Sequence, residues 1–315
     1  MENAIEVKGL TKSYASVLAV DRVSFQVRNG EFFGFLGPNG AGKTTTLRML
    51  TGLIKPDSGT ALIMGYDVQK DPLKVKQGIG VLPEVANAYT DLTAWQNLMF
   101  LGELYGLPKA LRRERAAALL KKLGLYGVKD KLVKGFSKGM KQKLLVCMAL
   151  LNDPKILFLD EPTSGLDVQS ARLIRDMLRE FNRSGVTIFL TTHNMDEANQ
   201  LCDRVAIINH GRIVAVGRPE ELKSVSNELR SVEVAFNKPV EIGSLAKLPP
   251  VLQAKKVGDK VRMYTKDPDE LIYRLVEYAK ANGLKFVALN VLSPTLEDIF
   301  IRLIEKDGGV ARAVI

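Results

Sequence analysis

The sequence Phe32-Phe-Gly-Phe-Leu-Gly37-Pro-Asn-Gly-Ala-Gly42-Lys43-Thr44-Thr-Thr-Leu decides the fold. Its first five residues are apolar and predict a buried strand, while the residues from Lys43 to Leu53 predict a helix. Between them, two glycines, a lysine and a threonine have the spacing of a phosphate-binding loop. Because a strand precedes the loop and a helix follows it, we favour this interpretation over a chance glycine-rich turn.

The loop predicts a binding site for ATP with Mg²⁺. Glycines allow the backbone to approach a phosphate closely, and successive N–H groups at a helix start attract an anion. Lys43 is expected to reach the β- and γ-phosphates, and the Thr44 hydroxyl to bind Mg²⁺. The predicted nucleotide-binding residues of this segment are Gly37, Pro38, Asn39, Gly40, Ala41, Gly42, Lys43, Thr44 and Thr45.

A second apolar strand, predicted from Ile156 to Leu159, ends in the acids Asp160 and Glu161. Ligands of open α/β sheets lie at the carboxyl ends of the strands, so we expect Asp160 to hold Mg²⁺ there. Glu161 would orient and deprotonate the attacking water. The alternative is that both acids only cap the next helix, and the phosphate loop upstream makes that less favoured.

The order of predicted elements indicates an α/β fold in two domains. Residues 1–225 alternate short apolar strands with helices, and a helical subdomain is inserted at about 85–151, where Thr93 to Leu151 is expected to be almost entirely helical. Residues 226–315 form a smaller α+β domain, in which no catalytic or metal-binding cluster stands out. Its strands are predicted at 229–236, 256–264 and 285–290, and its helices at 268–281 and 294–305.

Residues 4–222 resemble the ATP-binding subunit of an ABC transporter. Three further motifs carry the resemblance: Phe136-Ser-Lys-Gly-Met140 as the signature, Ser164-Gly-Leu-Asp167 as the D-loop, and Leu190-Thr-Thr-His193 as the switch. The resemblance implies the P-loop ATPase core of that family. It also implies catalytic roles for Lys43, Glu161 and His193.

In this family two subunits share each ATP. The resemblance therefore implies that Ser137, Lys138, Gly139, Met140 and Asp167 act on the nucleotide of a second copy or a paralogue. Tyr14 matches the aromatic residue that stacks on adenine, although a single aromatic residue there could also belong to the core. The other implied partner is a multispanning membrane permease, which places the chain in the cytoplasm, peripheral on the inner face of the cell membrane.

Two departures from the common family pattern point to one branch. Glu84 stands where glutamine is usual, and its carboxylate could accept a hydrogen bond from a Mg²⁺-bound water. The signature carries Lys138 and Met140, and Ser293-Pro-Thr-Leu-Glu-Asp-Ile-Phe300 lies near the end of the second domain. These features resemble the exporters of drugs, antibiotics and lipids. An importer ATPase and a soluble mechanochemical ATPase remain alternatives, and intact Glu161 and His193 oppose a nucleotide sensor that does not hydrolyse.

The net charge of +10 is concentrated in residues 107–143, which hold twelve Lys or Arg and two acids. A solvated face and an anion-binding surface, near a membrane or the dimer seam, explain this equally well. No nucleic acid is expected, because few aromatic residues accompany the charge. The longest apolar run, Leu144 to Leu151, is too short to span a bilayer. The two cysteines, Cys147 and Cys202, are expected to be buried thiols.

The segment from Val85 to Leu104 is where the resemblance places the contact with the permease. It contains Tyr89, Leu92 and Trp95, the only tryptophan of the chain. An ordinary core position for Trp95 is an equally good interpretation.

Overall fold

The computed structural model describes residues 2–84, 88–224, 230–292 and 296–300. Within them the chain forms two compact units, residues 2–218 and residues 219–300. The helix from Pro219 to Ser224 groups with the second unit, whereas the sequence-based division placed it in the first. The predicted boundary between residues 225 and 226 lies outside the described residues.

The first unit contains two sheets. A mixed six-stranded sheet has the order β10-β9-β3-β8-β7-β6, in which β9, β3, β8, β7 and β6 are parallel and β10 is antiparallel. An antiparallel sheet has the order β2-β1-β4-β5. The strands are β1 Asn3–Tyr14, β2 Val17–Arg28, β3 Phe32–Leu36, β4 Ser58–Ile63, β5 Tyr66–Asp67, β6 Ile79–Leu82, β7 Ile156–Asp160, β8 Thr187–Thr192, β9 Arg204–Asn209 and β10 Arg212–Gly217.

Seven helices lie among the described residues of this unit, and an eighth opens the second. They are α1 Lys43–Leu50, α2 Pro72–Gly78, α3 Ala94–Leu104, α4 Lys109–Lys122, α5 Lys138–Leu150, α6 Val168–Arg183, α7 Met195–Leu201 and α8 Pro219–Ser224. The prediction of almost continuous helix from Thr93 to Leu151 is wrong between Leu123 and Ser137. Gly124 takes a left-handed φ of 68° and ends α4, and the chain then forms two short 3₁₀ turns before α5 begins.

Aromatic rings join the two sheets of the first unit. Phe25 of β2 stacks on Phe33 of β3 with 5.6 Å between ring centroids, and it also contacts Phe35 and Phe189. Phe158 of β7 contacts Phe189 in turn. All of these rings are buried, and rings packed in offset or tilted pairs stabilise a core beyond the area they bury. The antiparallel sheet thus packs against the parallel strands β3 and β8 through the ring of Phe25.

The second unit is a four-stranded antiparallel sheet of order β12-β13-β11-β14 with helices beside it. Its further elements are β11 Arg230–Phe236, α9 Ile242–Ala246, β12 Val251–Val257, β13 Lys260–Thr265, α10 Pro268–Ala281 and β14 Phe286–Leu292. The prediction of one strand from Lys256 to Tyr264 is wrong. Gly258 takes a left-handed φ of 63° there, and the chain turns back as the β12–β13 hairpin.

The predicted helix 294–305 is described only at residues 296–300, which are helical. No helix in the described parts of the chain combines the length and the apolar character needed to cross a membrane. The α/β prediction for the chain is confirmed.

Candidate functional site

The predicted catalytic residues meet because three neighbouring parallel strands end at one edge of the sheet. Strand β3 leads into the loop at Gly37, β7 ends at Asp160, and β8 ends at Thr192, one residue before His193. The strands pair in register, with Leu36 opposite Thr192 and Asp160 opposite Thr191. The topology therefore brings together three segments that are far apart in sequence.

The phosphate loop depends on its glycines in two different ways. Gly40 and Gly42 have φ angles of 81° and 106°, which side chains with a Cβ rarely adopt. A Cβ at Gly42 would also lie 2.5 Å from the carbonyl oxygen of Ala19. At Gly37 the φ angle is ordinary, but a Cβ would lie 2.5 Å from the carbonyl oxygen of Ile208. Close approach fixes one end of the loop and backbone conformation fixes the other.

Lys43 is the first residue of α1 and is only 7% exposed. Its ammonium donates to the carbonyl oxygens of Gly37 and Pro38 at 2.7 and 3.1 Å. The same nitrogen lies 3.6 Å from a carboxylate oxygen of Glu161. The first N–H groups of α1 have no partner within the helix, so they and Lys43 present positive charge to the same space.

Asp160 is a buried carboxylate, 2% exposed, and the hydroxyl of Thr191 donates a hydrogen bond to it. Among the described residues no Lys or Arg forms an ion pair with Asp160. A buried carboxylate without a cationic partner is costly, and a bound cation would remove that cost. The carboxylate of Asp160 and the hydroxyl of Thr44, in the first turn of α1, are oxygen donors of the kind that Mg²⁺ prefers.

Glu161 lies between the phosphate loop and the switch. Its carboxylate is 2.9 Å from Nδ1 of His193, and its second oxygen is 3.5 Å from the hydroxyl of Thr192. The backbone of Glu161 takes a left-handed φ of 51°, which is unusual for a residue with a side chain. Strain of this kind often marks functional sites, because the surrounding structure must hold it in place.

The predicted signature and D-loop residues form a neighbouring group. Ser137 caps α5, and its hydroxyl accepts from the N–H of Met140 at 3.2 Å. A Cβ at Gly139 would meet the hydroxyl of Ser170 at 2.7 Å, and a Cβ at Gly165 would meet the ammonium of Lys138 at 2.1 Å. The start of the signature helix thus packs directly on the D-loop of the same chain.

Asp167 caps α6 by accepting from the N–H of Ser170 at 2.9 Å. The hydrogen bonds from the N–H and the hydroxyl of Ser170 lower the pKa of Asp167.

Two predicted residues lie on the surface. Tyr14 at the end of β1 is 44% exposed, which argues against the core alternative. The ammonium of Lys12 lies 5.7 Å from its ring centroid and pairs with Asp57 at 2.6 Å. Glu84 is exposed beyond the end of β6, and the structure gives it no contact with the other predicted metal ligands.

Several residues at the site were not predicted from the sequence. The hydroxyls of Thr191 and Thr192 contact the two acids, and Asn194 caps α7 while its N–H donates to Thr192 at 3.0 Å. Thr-Thr at the end of an apolar strand was the available signal. Once β8 is known to pair with β7, hydroxyls at the carboxyl end of β8 are expected beside Asp160 or in the core.

An α/β sheet with a phosphate loop, a buried acid at the end of a parallel strand two positions away and a second acid beside a histidine defines a P-loop nucleotide-hydrolysing protein. The "ABC transporter" family model matches residues 20–164 of the chain. The model "ATP-binding protein DrrA1-3-like, C-terminal domain" matches residues 217–304.

Two of three similar proteins match almost the whole length of the chain, and the third matches 72% of it. It is 39% identical over 304 residues to the "Nod factor export ATP-binding protein I" of Ralstonia nicotianae, covering 96% of this chain and 94% of the relative. It is 36% identical to the "Linearmycin resistance ATP-binding protein LnrL" of Bacillus subtilis, covering 95% and 97%. It is 45% identical to the "Daunorubicin/doxorubicin resistance ATP-binding protein DrrA" of Streptomyces peucetius, covering 72% and 69%.

Solved structures agree with the fold. A structure of the "ATP binding subunit of ABC transporter" is 32% identical with a TM-score of 0.66, covering 71% of this chain and 93% of that one. A dimeric ATP-binding cassette bound to ADP and phosphate is 27% identical with a TM-score of 0.63, covering 68% and 98%.

The chain belongs to the ABC transporter family, as one of its ATP-binding proteins. The predictions of an ABC-type ATPase core, of ATP as the nucleotide and of the exporter branch are confirmed.

Proposed function

We propose that Glu161 is the general base of ATP hydrolysis in this protein. The cluster of Lys43, Glu161 and His193 beside the phosphate loop carries the proposal. Lys43 would neutralise the γ-phosphate, Glu161 would take the proton of the attacking water, and His193 would contact both Glu161 and the phosphate. Mg²⁺, held by Thr44 and Asp160, would neutralise charge on the phosphates; the position of Glu84 supports no more than an indirect contact through water.

The complete site would require a second subunit. Ser137 and Lys138 are exposed at the start of α5, where unpaired N–H groups can receive a phosphate. The dimeric cassette bound to ADP and phosphate supports this arrangement. We infer that Ser137 to Met140 and Asp167 act on the nucleotide bound by a second copy or a paralogue, and that Tyr14 stacks on the adenine of its own subunit.

The energy of hydrolysis would drive export through a separate membrane permease. The export and resistance proteins among the relatives support export, and a cassette 29% identical to this chain is part of an ABC transporter complex. The surface of α3 supports a permease contact: Phe100 and Leu104 are exposed there, and Tyr89 packs edge-on against Phe100 at 5.3 Å. Trp95 is partly buried under Lys129. We therefore propose that the protein lies peripherally on the inner face of the membrane.

The basic stretch is less uniform than its charge suggests. Arg112 pairs with Glu103, Arg115 with Asp153 and Lys122 with Glu180. These pairs favour the solvated-face interpretation for α4. The cations nearer the signature, such as Lys138, remain candidates for a surface that attracts an anion.

The substitution Glu161→Gln tests the base assignment. It keeps the size of the side chain and removes its ability to take a proton, so we expect ATP turnover to fall at least about 100-fold while ATP binding persists. Glu180→Gln is the matched control, because Glu180 is an exposed acid far along α6. Turnover at the wild-type rate in Glu161→Gln would overturn the assignment.

Co-purification with a multispanning membrane protein, rather than with ribosomes, would separate transport from a soluble mechanochemical role.

A further inference from the structure

Glu197, on the first turn of α7, is a buried carboxyl group that the proposed mechanism does not use. It is 1% exposed, and its Oε2 atom has no hydrogen-bond partner among the described residues. Buried polar atoms are nearly always paired, so an unpaired carboxyl oxygen in a core requires an explanation. An acid in the first turn of a helix is usually placed at the surface to complement the helix dipole, and Glu197 is not at the surface.

The other oxygen of Glu197 is bound to the turn that carries the proposed base. Thr163 donates its hydroxyl hydrogen to Oε1 of Glu197 at 2.7 Å. Thr163 lies two residues after Glu161 and starts the turn in which the N–H of Leu166 donates to its carbonyl oxygen at 3.2 Å. This turn leads directly to Asp167. One side-chain contact therefore ties α7 to the connection between the base and the D-loop.

The same turn is held from its other side by the signature helix. Gln142 of α5 donates its amide to the carbonyl oxygen of Pro162 at 2.8 Å. Pro162 and Thr163 are thus fixed by two helices, α5 and α7. These contacts surround the left-handed backbone of Glu161, which an unsupported chain would relax.

α7 also follows the switch directly, because only Asn194 separates His193 from the first residue of the helix. The N–H of Glu197 donates to the side chain of Asn194, whose N–H donates to the hydroxyl of Thr192. That hydroxyl lies 3.5 Å from Glu161. The segment from Thr192 to Glu197 therefore reaches Glu161 directly at one end and through Thr163 at the other, and His193 lies between the two connections.

We propose that Glu197 is a positioning residue for ATP hydrolysis, which holds the turn of Glu161 and Asp167 against the segment of His193 by accepting the hydrogen bond of Thr163. The inference rests on the proposed roles of Glu161 and His193. In this arrangement Glu197 acts through Thr163 and not on the nucleotide itself. It sets the distance between base and switch, so its loss reduces turnover rather than nucleotide affinity.

The electrostatics of Glu197 agree with this role. Burial raises the pKa of Glu197, and the nearby charge of Glu161 raises it further, while the hydrogen bond from Thr163 and the charge of Arg175 lower it. A carboxyl group in this environment is costly in its ionised form. A carboxyl group at this position is better explained by its hydrogen bond with Thr163 than by packing, because an apolar side chain could fill the same space.

Two substitutions remove the contact from opposite sides. Thr163→Val deletes one hydroxyl at nearly constant volume, and Glu197→Ala deletes the acceptor. We expect kcat for ATP to fall about tenfold in each, because a hydrogen bond to a carboxyl group that holds the reacting geometry is lost. We expect the dissociation constant for ADP to stay within about twofold. The double variant should be no slower than the slower single variant, since both remove one interaction.

Glu197→Gln is the conservative control, since its amide oxygen can still accept from Thr163. We expect it to keep kcat within about threefold of the wild type. Thermal unfolding is measured for every variant, so that a loss of folded protein is separated from a loss of turnover per folded molecule.

The outcomes separate this inference from the proposed function. If Glu161→Gln abolishes turnover and Thr163→Val keeps wild-type kcat, the role of Glu197 is overturned and the base assignment stands. A fall in kcat that is fully explained by unfolding, or a Glu197→Gln variant as slow as Glu197→Ala, also overturns it. If Glu161→Gln keeps wild-type turnover, the assignment of Glu161 as the base is overturned, and the role of Glu197 that rests on it is overturned as well. Should Glu197→Ala not fold, Thr163→Val alone decides.

Discussion

Replacing Gly40 by alanine tests whether the phosphate loop needs its left-handed backbone. At Gly40 the φ angle is 81° and a Cβ would meet no atom within 4 Å, so the substitution adds strain without a clash. A residue with a Cβ loses about 1–2 kcal/mol in this conformation. Since about 1.4 kcal/mol corresponds to a factor of ten, the strain is worth about 5- to 30-fold in an equilibrium constant.

This strain can appear as weaker binding or as lower stability. No hydrogen bond among the described residues holds the backbone N–H or carbonyl oxygen of Gly40, so the chain can relax there. We therefore expect the dissociation constant for ADP–Mg²⁺ to rise about 5- to 30-fold with little change in melting temperature. Isothermal titration calorimetry with ADP measures the first quantity, and calorimetric unfolding measures the second.

Gly30→Ala is the matched control for this experiment. Gly30 has a similar φ of 73° and equally open surroundings, but it lies at the opposite end of β3. Its N–H donates to Thr187 and its carbonyl oxygen accepts from Asn182, so it cannot relax. We expect a melting temperature lower by about 2–8 °C and unchanged ADP affinity.

Gly42→Ala completes the series, because it adds a clash with the Ala19 carbonyl oxygen and should remove measurable ADP binding. Wild-type ADP affinity in Gly42→Ala would refute the loop as the phosphate site. Unchanged affinity and unchanged stability in Gly40→Ala would refute the strain argument.

Three further predictions follow from burial and exposure. The raised pKa of Glu197 means that the folded state binds its proton more tightly than the unfolded state, so stability is lost as pH rises from the ordinary value of 4.5 through the folded pKa. The melting temperature of Glu197→Gln should therefore be higher than that of the wild type at pH 8, and the two should approach each other towards pH 4.5. A difference in melting temperature that is equal at both pH values would contradict this. Burial raises the pKa of both Cys147 and Cys202, so neither should react with iodoacetamide before global unfolding, as mass spectrometry would show. Tyr14→Ala should weaken ATP binding about 5- to 30-fold while Tyr14→Phe binds normally, since only the ring stacks; equal affinity in both would rule out stacking.

Many of the site residues at the ends of β3, β7 and β8 were predictable, because each of their motifs has a requirement that can be seen within a few residues of sequence. The phosphate loop requires glycine where φ is positive or where another backbone approaches, and both requirements are met at the glycines that the spacing selects. Strand β7 was predictable from its four apolar residues, Ile156 to Leu159, and the two acids Asp160 and Glu161 that come next. The start of helix α7 is also explained by local physics, because the side chain of Asn194 caps it by accepting from the N–H of Glu197.

Other features depend on contacts that no local pattern encodes. The hydroxyl of Thr191 faces Asp160 only because β7 and β8 are adjacent and in register. The sequence of either strand alone does not predict which strand lies beside it. Glu197 looks like a surface acid at a helix start and becomes a core residue through α7 packing. The hairpin at Gly258 was missed because one glycine in an otherwise strand-like run is a weak turn signal.

The central claim is that Gly37 to Thr45 provide half of an ATP site and that a second subunit provides the other half. Sedimentation of Glu161→Gln with ATP–Mg²⁺ tests this most directly, with ADP–Mg²⁺ and the double variant Glu161→Gln, Ser137→Arg as controls. We predict a dimer of Glu161→Gln in ATP alone, and monomers in ADP and in the double variant, in which a bulky side chain blocks the start of α5. A monomer in all three conditions, or a dimer that forms without ATP and persists in the double variant, would contradict the shared site.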